Sequence, residues 1–125
     1  VKKIISTKNA PEAIGPYSQA VKAGNLLFTA GQIALQPGTS TVVEGGVAAQ
    51  TDQVLQNVKA ILHAAGADMS SVVKTNVYLT KPEDFGAMNK VYANYFTNNP
   101  PARVTVFVSS LPKNALVEID AVAQL

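Results

Sequence analysis

Between Val47 and Ala65 the chain carries its most regular pattern. Apolar or small residues recur at Val47, Thr51, Val54, Leu55, Val58, Ile61, Leu62 and Ala65. Steps of three and four put them on one side of a helix. Gly66 follows where a left-handed C-cap is expected, and the one histidine, His63, falls off the stripe. A second helix opens at Pro82-Glu83-Asp84, because proline is tolerated in a first turn and acids there favour the helix dipole. Phe85, Met88, Val91, Tyr92, Tyr95 and Phe96 give it an apolar face, and Pro100-Pro101 ends it.

The rest of the pattern has a period of two, the mark of strands. Val72 to Thr80 sets Val73, Thr75, Val77 and Leu79 against Val72, Lys74, Asn76 and Tyr78. Arg103 to Ser109 sets Arg103, Thr105 and Phe107 against Val104, Val106 and Val108. Leu116 to Ala123 sets Val117, Ile119, Ala121 and Ala123 against Leu116, Glu118, Asp120 and Val122. Shorter strands are predicted at Lys3–Ser6, Ser18–Ala23, Asn25–Ala30 and Thr41–Val43, with Gly24 breaking the middle pair. A loop rich in proline and glycine spans Ala10 to Tyr17, and an irregular stretch runs from Gly31 to the turn at Pro37-Gly38.

This order predicts an α+β fold, a mainly antiparallel sheet of about six strands with two helices on one face. The other face then needs a cover. Alternation gives it Leu116 and Val122 beside Glu118, and Phe107 beside Arg103 and Thr105. Such a face is too apolar for open water and too polar for a sealed core. A partner subunit is expected to cover it and leave a small wet cleft at the seam.

Composition narrows the functions. The length of 125 residues fits one domain, residues 1–125. With no cysteine and one histidine, disulfides, thiol nucleophiles and ordinary zinc sites are excluded, and no metal is expected. Neither glycine-rich nucleotide loop occurs. The net charge is +2, and the nine lysines are scattered rather than striped, so a nucleic-acid partner is not expected. No apolar run reaches the length of a membrane span. A cytoplasmic protein is expected, or a mitochondrial one if a targeting segment has been removed. The chain begins with Val rather than Met.

Three residues could carry chemistry. Arg103, the only arginine, sits at the start of a half-apolar strand. It either grips a carboxylate with two parallel hydrogen bonds or reaches water from a sheet edge. Glu118 stands on the less apolar face of its strand; it could take a proton from water, or belong to an ordinary wet face with Asp120. Tyr17 follows the rigid Gly15-Pro16 turn and either lines a pocket or packs with its hydroxyl at the surface. Gly45-Gly46 before the first helix could hold an anion, though a plain loop serves as well.

At these residues the chain resembles the RidA family of reactive-intermediate (enamine/imine) deaminases. Ala13-Ile14-Gly15-Pro16-Tyr17-Ser18-Gln19-Ala20 is similar to the family's N-terminal signature, and Phe28-Thr29-Ala30-Gly31-Gln32-Ile33 to its second motif. Val72-Val73-Lys74-Thr75, then Asp84-Phe85 with Asn89 and Tyr92, resembles its middle. Pro101-Ala102-Arg103, Leu111-Pro112-Lys113 and Val117 to Ala123 resemble its C-terminal signature. Five motifs in register cover nearly the whole chain. The resemblance implies a chorismate-mutase-like fold and a homotrimer with sites between subunits. It implies hydrolysis of imines derived from 2-aminoacrylate to 2-keto acids and ammonia, with no cofactor. By the same resemblance Arg103 binds the substrate carboxylate and Glu118 activates water. Tyr17, Asn89, Thr105, Ala30 and Gly31 line the pocket. Two positions depart from many members, which carry Ser at Ala30 and Cys at Thr105; the first change removes a hydroxyl from the pocket. Relatives have also been described as RNA-cleaving translation inhibitors and as chaperone-like binders, and both alternatives stay open at this point.

Overall fold

Both periodicities resolve into one six-stranded sheet carrying two helices in the computed structural model, which describes residues 1–125. The strands are β1 (Lys3–Ile5), β2 (Ala20–Ala23), β3 (Leu26–Thr29), β4 (Val72–Leu79), β5 (Ala102–Phe107) and β6 (Val117–Gln124). They lie in the order β1-β2-β3-β6-β4-β5. Only β4 and β5 run parallel. Parallel strands need a crossover, and helix α2 (Phe85–Tyr95) supplies it after a single 3₁₀ turn at Pro82–Asp84.

Helix α1 (Gly46–Ala64) buries Val47, Val54, Leu55, Val58, Ile61 and Leu62 against the sheet. It ends as the sequence predicts. Gly66 takes φ +81°, its N–H reaches His63 O at 3.1 Å, and the Ala67 N–H reaches Leu62 O at 2.9 Å. These two bonds are the Schellman pattern, which closes a helix end with a left-handed residue. Thr41–Val43, expected as a strand, makes only a single bridge, Leu35 to Val42.

The helix-covered face of β6 carries Val117, Ile119, Ala121 and Ala123, all buried. In β4 that face carries Val72, Thr75, Val77 and Leu79, with Val73 exposed. The predicted alternation of β4 holds from Lys74 to Leu79 and is reversed only at Val72 and Val73. A register shift between Val72 and Lys74 flips the alternation at the strand's first residue. Leu116 precedes β6 and packs against the core rather than lying on the open face beside Glu118.

The pairing also fixes which face each candidate occupies. Tyr78 pairs with Glu118 on one side and Val106 on the other, and Asn76 pairs likewise with Asp120 and Val104. All six stand on the open face. Thr75 pairs with Arg103 and Ala121, and it is buried under the helices. Arg103 and Thr105 therefore point to the helix side. The open face is as apolar as expected but differently composed: Phe28 is 43% exposed, Val104 45% and Val106 39%.

Candidate functional site

The ladder between β3 and β6 breaks at a defined place. Pairing holds to Phe28↔Val122. The Thr29 hydroxyl then accepts the Ala121 N–H at 3.0 Å in place of a backbone carbonyl. Pairing resumes at Gln32↔Ile119 through backbone bonds of 2.9 and 3.1 Å. Four steps along one side (28 to 32) oppose three along the other (122 to 119). The extra residue is a bulge, and it presses Gly31 against Glu118. A Cβ at Gly31 would overlap Glu118 Oε2 and lie 2.9 Å from its Cδ.

That contact makes a sharp prediction. The Gly31 backbone is not left-handed, and a carboxylate is the movable end of a side chain. Gly31→Ala should therefore cost less than about 1 kcal/mol of stability, below the usual range for overpacking a rigid core. If Glu118 is the base that the resemblance implies, the substitution should still lower turnover at least about tenfold, because small displacements of reacting groups cost that much and more. Thermal melting and steady-state kinetics on the same preparation would check both halves.

Glu118 opens into a cleft of about 210 Å³, lined also by Pro11, Ile14, Tyr17, Gly31, Gln32 and Pro112. Tyr17 is half-exposed rather than packed. Its N–H bonds Gly15 O at 2.8 Å, and its phenol oxygen accepts the Ile14 N–H at 3.4 Å. The phenolic proton is left free to be donated into the cleft. Gln19 holds this wall. Its amide donates to Pro11 O at 2.7 Å and Thr7 O at 3.0 Å, and its carbonyl accepts the Thr7 N–H at 2.7 Å. Buried Asn57 on α1 does the same for the segment after Gly31, donating to Leu35 O at 2.8 Å. Neither amide was a sequence candidate; single polar letters at the start of a predicted strand and in a helix gave no sign of burial. Burial raises the Glu118 pKa above the ordinary glutamate value, and the charge of Asp120 raises it further. Ala30 does not line the cleft, and its N–H is taken by Gln19 O at 2.8 Å.

On the other face a second group assembles. The Arg103 guanidinium carbon stands 4.8 Å from the centre of the Tyr92 ring and 5.7 Å from that of Phe85. These are cation–π distances, and they hold the group by ring faces rather than by a carboxylate. The Tyr92 hydroxyl is occupied by Thr75 Oγ1 at 2.7 Å. Asn89 lies between Phe85 and Tyr92 on the same helix face, by its spacing of four and three. Asn89 Oδ1, Thr105 Oγ1 and Asp84 Oδ2 are buried without a hydrogen-bond partner. Buried polar atoms are ordinarily paired, so each unpaired oxygen here marks a polar spot in the fold. Phe85, Tyr92 and Asp84 were not sequence candidates, although the first two formed the predicted apolar face of α2.

The structure thus gathers Tyr17, Gly31 and Glu118 in one place, and Arg103, Thr105 and Asn89 in another. It does not bring the two together. Arg103 and Glu118, expected side by side in one chain, face opposite sides of the sheet. A larger groove of about 810 Å³ beyond Tyr17, lined by Ile4 to Lys8, contains neither of them.

Fold and side-chain placement together define a small α+β protein with two polar groups of residues on opposite faces of one sheet. The chain belongs to the family described as Endoribonuclease L-PSP, the RidA family, whose sequence model matches residues 7–125. It is 56% identical over 123 residues to a RutC family protein of Pyrococcus horikoshii, covering 98% of both chains. It is 46% identical over 123 residues to the 2-iminobutanoate/2-iminopropanoate deaminase of Mus musculus, covering 98% of this chain and 91% of that protein. The crystal structure of Escherichia coli TdcF with bound serine superposes with a TM-score of 0.94 at 41% identity, covering 98% of each chain. Deaminases of reactive intermediates are thus among its relatives, alongside proteins known only by family. No helix is long and apolar enough to cross a membrane.

Proposed function

We propose that this protein hydrolyses small imino acids, of the 2-iminopropanoate and 2-iminobutanoate class, to 2-keto acids and ammonia. The observation that carries the reading is Glu118, a half-buried carboxylate made more basic than usual and set under a glycine in a small cleft. The 46% identity to a deaminase of this substrate class supports it, as does a relative that binds an amino acid, serine.

The cleft is completed by a second copy of the chain. The apolar open face favours such a partner, and so does β5, an edge strand with exposed valines. Three copies in a ring, the number the resemblance implies, would bring Arg103 of one chain to Glu118 and Tyr17 of the next. Arg103 grips the substrate carboxylate and orients the adjacent C=N carbon. Glu118 takes a proton from a water that adds to that carbon. The carbinolamine collapses, the C–N bond breaks, and ammonia leaves with the keto acid behind. Imines already hydrolyse in water, so orientation plus a general base, worth roughly 10²–10⁴-fold, suffices. The chemistry needs no cofactor.

The family's description names a different activity, RNA cleavage. The one histidine, His63, is exposed in the last turn of α1 and does not line the cleft, so no imidazole of this chain serves there as acid or base. The deciding assay follows keto-acid release from freshly generated 2-iminopropanoate. The proposal expects saturable release faster than uncatalysed hydrolysis. Release at the background rate by folded, assembled protein would overturn it. RNA cleavage surviving loss of Arg103 and Glu118 would point to a separate activity.

A further inference from the structure

Glu118 and Asp120 are two residues apart on one strand face, hence roughly 7 Å apart along the strand. Their surroundings differ. Asp120 is held by two donors: Asn76 Nδ2 at 2.8 Å to one oxygen and the Tyr78 hydroxyl at 3.4 Å to the other. Both donors come from β4, at the neighbouring rungs of the same ladder. Glu118 instead meets Gly31 and the cleft. We propose that Asp120 is a positioning residue that acts through Glu118: pinned by Asn76 and Tyr78, it fixes a carboxylate on the same sheet face and strengthens Glu118 as the base. The role of Asp120 in catalysis rests on the reading of Glu118 given above, but the coupling between the two carboxylates does not.

Two carboxylates in unlike environments are a general way to divide acid and base roles. Burial raises the Tyr78 pKa, and the charge and hydrogen bond of Asp120, then the charge of Glu118, raise it further. The other ionisable groups facing Glu118 are few. Tyr17 and Glu12 line its cleft from the N-terminal loop, and Lys74 lies further along the open face, opposite Val122. β5 contributes Ala102, Val104 and Val106 to that face, none of them ionisable. In the assembled cleft a neighbouring copy adds its Arg103.

The test is carboxyl carbon NMR on the full-length, assembled protein labelled at glutamate, with the Glu118 signal assigned by its loss in Glu118→Gln. Asp120→Asn should shift the Glu118 titration to lower pH, and Asp120→Glu should restore most of it. Asp120→Ser repeats the removal of charge with a smaller side chain, should the Asn variant fold poorly. An unchanged Glu118 titration in a folded, charge-removed variant overturns the inference. In kinetics, Asp120→Asn should move the acidic limb of kcat/KM to lower pH and lower its plateau several-fold, with KM little changed. A titration that moves while the limb stays upholds the coupling and contradicts Glu118 as the base.

Discussion

Arg103→Ala is expected to lower kcat/KM for imino-acid hydrolysis by about 10²–10³-fold while leaving the fold intact. The guanidinium makes no ion pair that its loss would break; it rests on the faces of Tyr92 and Phe85. Its removal therefore costs little stability. In the proposed mechanism what disappears is the contact to the substrate carboxylate, and deleting one partner of such a pair costs about 2–5 kcal/mol. Arg103→Lys should recover only a small part, because an ammonium cannot make two parallel bonds and stacks less well on the rings. Both KM and kcat should suffer, since a loosely held carboxylate also misplaces the C=N carbon. Near-normal hydrolysis by the Lys variant would show that Arg103 does not recognise a carboxylate.

Glu118→Gln is expected to reduce kcat by about 10²–10⁴-fold, the usual worth of a general base. It keeps the shape, so a keto acid such as pyruvate should bind as before. The wild-type pH profile carries the same information. The base works as the carboxylate, so activity falls as pH drops through its pKa. Burial first and Asp120 second raise that pKa. The acidic limb should accordingly lie above the 4.5 of an ordinary glutamate and vanish in the Gln variant. Unchanged turnover in Glu118→Gln, with pyruvate still bound, would mean that water is activated by another group.

Much of this fold was legible because burial follows pattern where one face meets a core. Helix α1 shows it, with its stripe and its glycine stop, and so does β6, whose Val117, Ile119, Ala121 and Ala123 are all buried. The pattern misleads where both faces are apolar. In β5 the valines look like the inward set, yet Val104 and Val106 face outward and Arg103 faces the helix. The open face is itself apolar, and on the helix side Arg103 lies against the aromatic rings of Tyr92 and Phe85. Alternation divides a strand into two sets without saying which set is inside. Local irregularity was equally hidden. Neither the bulge that sets Gly31 on Glu118 nor the register shift at Val72 has a letter of its own. Buried amides such as Gln19 and Asn57 read as surface residues until their partners are known. The candidate residues themselves came chiefly from the resemblance; their division between two faces came from the pairing.

That division carries the account, and mixing subunits tests it most directly. Arg103→Ala chains and Glu118→Gln chains, each nearly inactive alone, would be refolded together in equal amounts and assayed for imino-acid hydrolysis. In a ring whose sites take Arg103 from one chain and Glu118 from the next, about one site in four receives both intact residues. The account predicts recovery approaching a quarter of wild-type activity, once mass spectrometry shows that mixed assemblies form. Mixed assemblies no more active than their parents, or a fully active monomer in sedimentation at assay concentration, would contradict it.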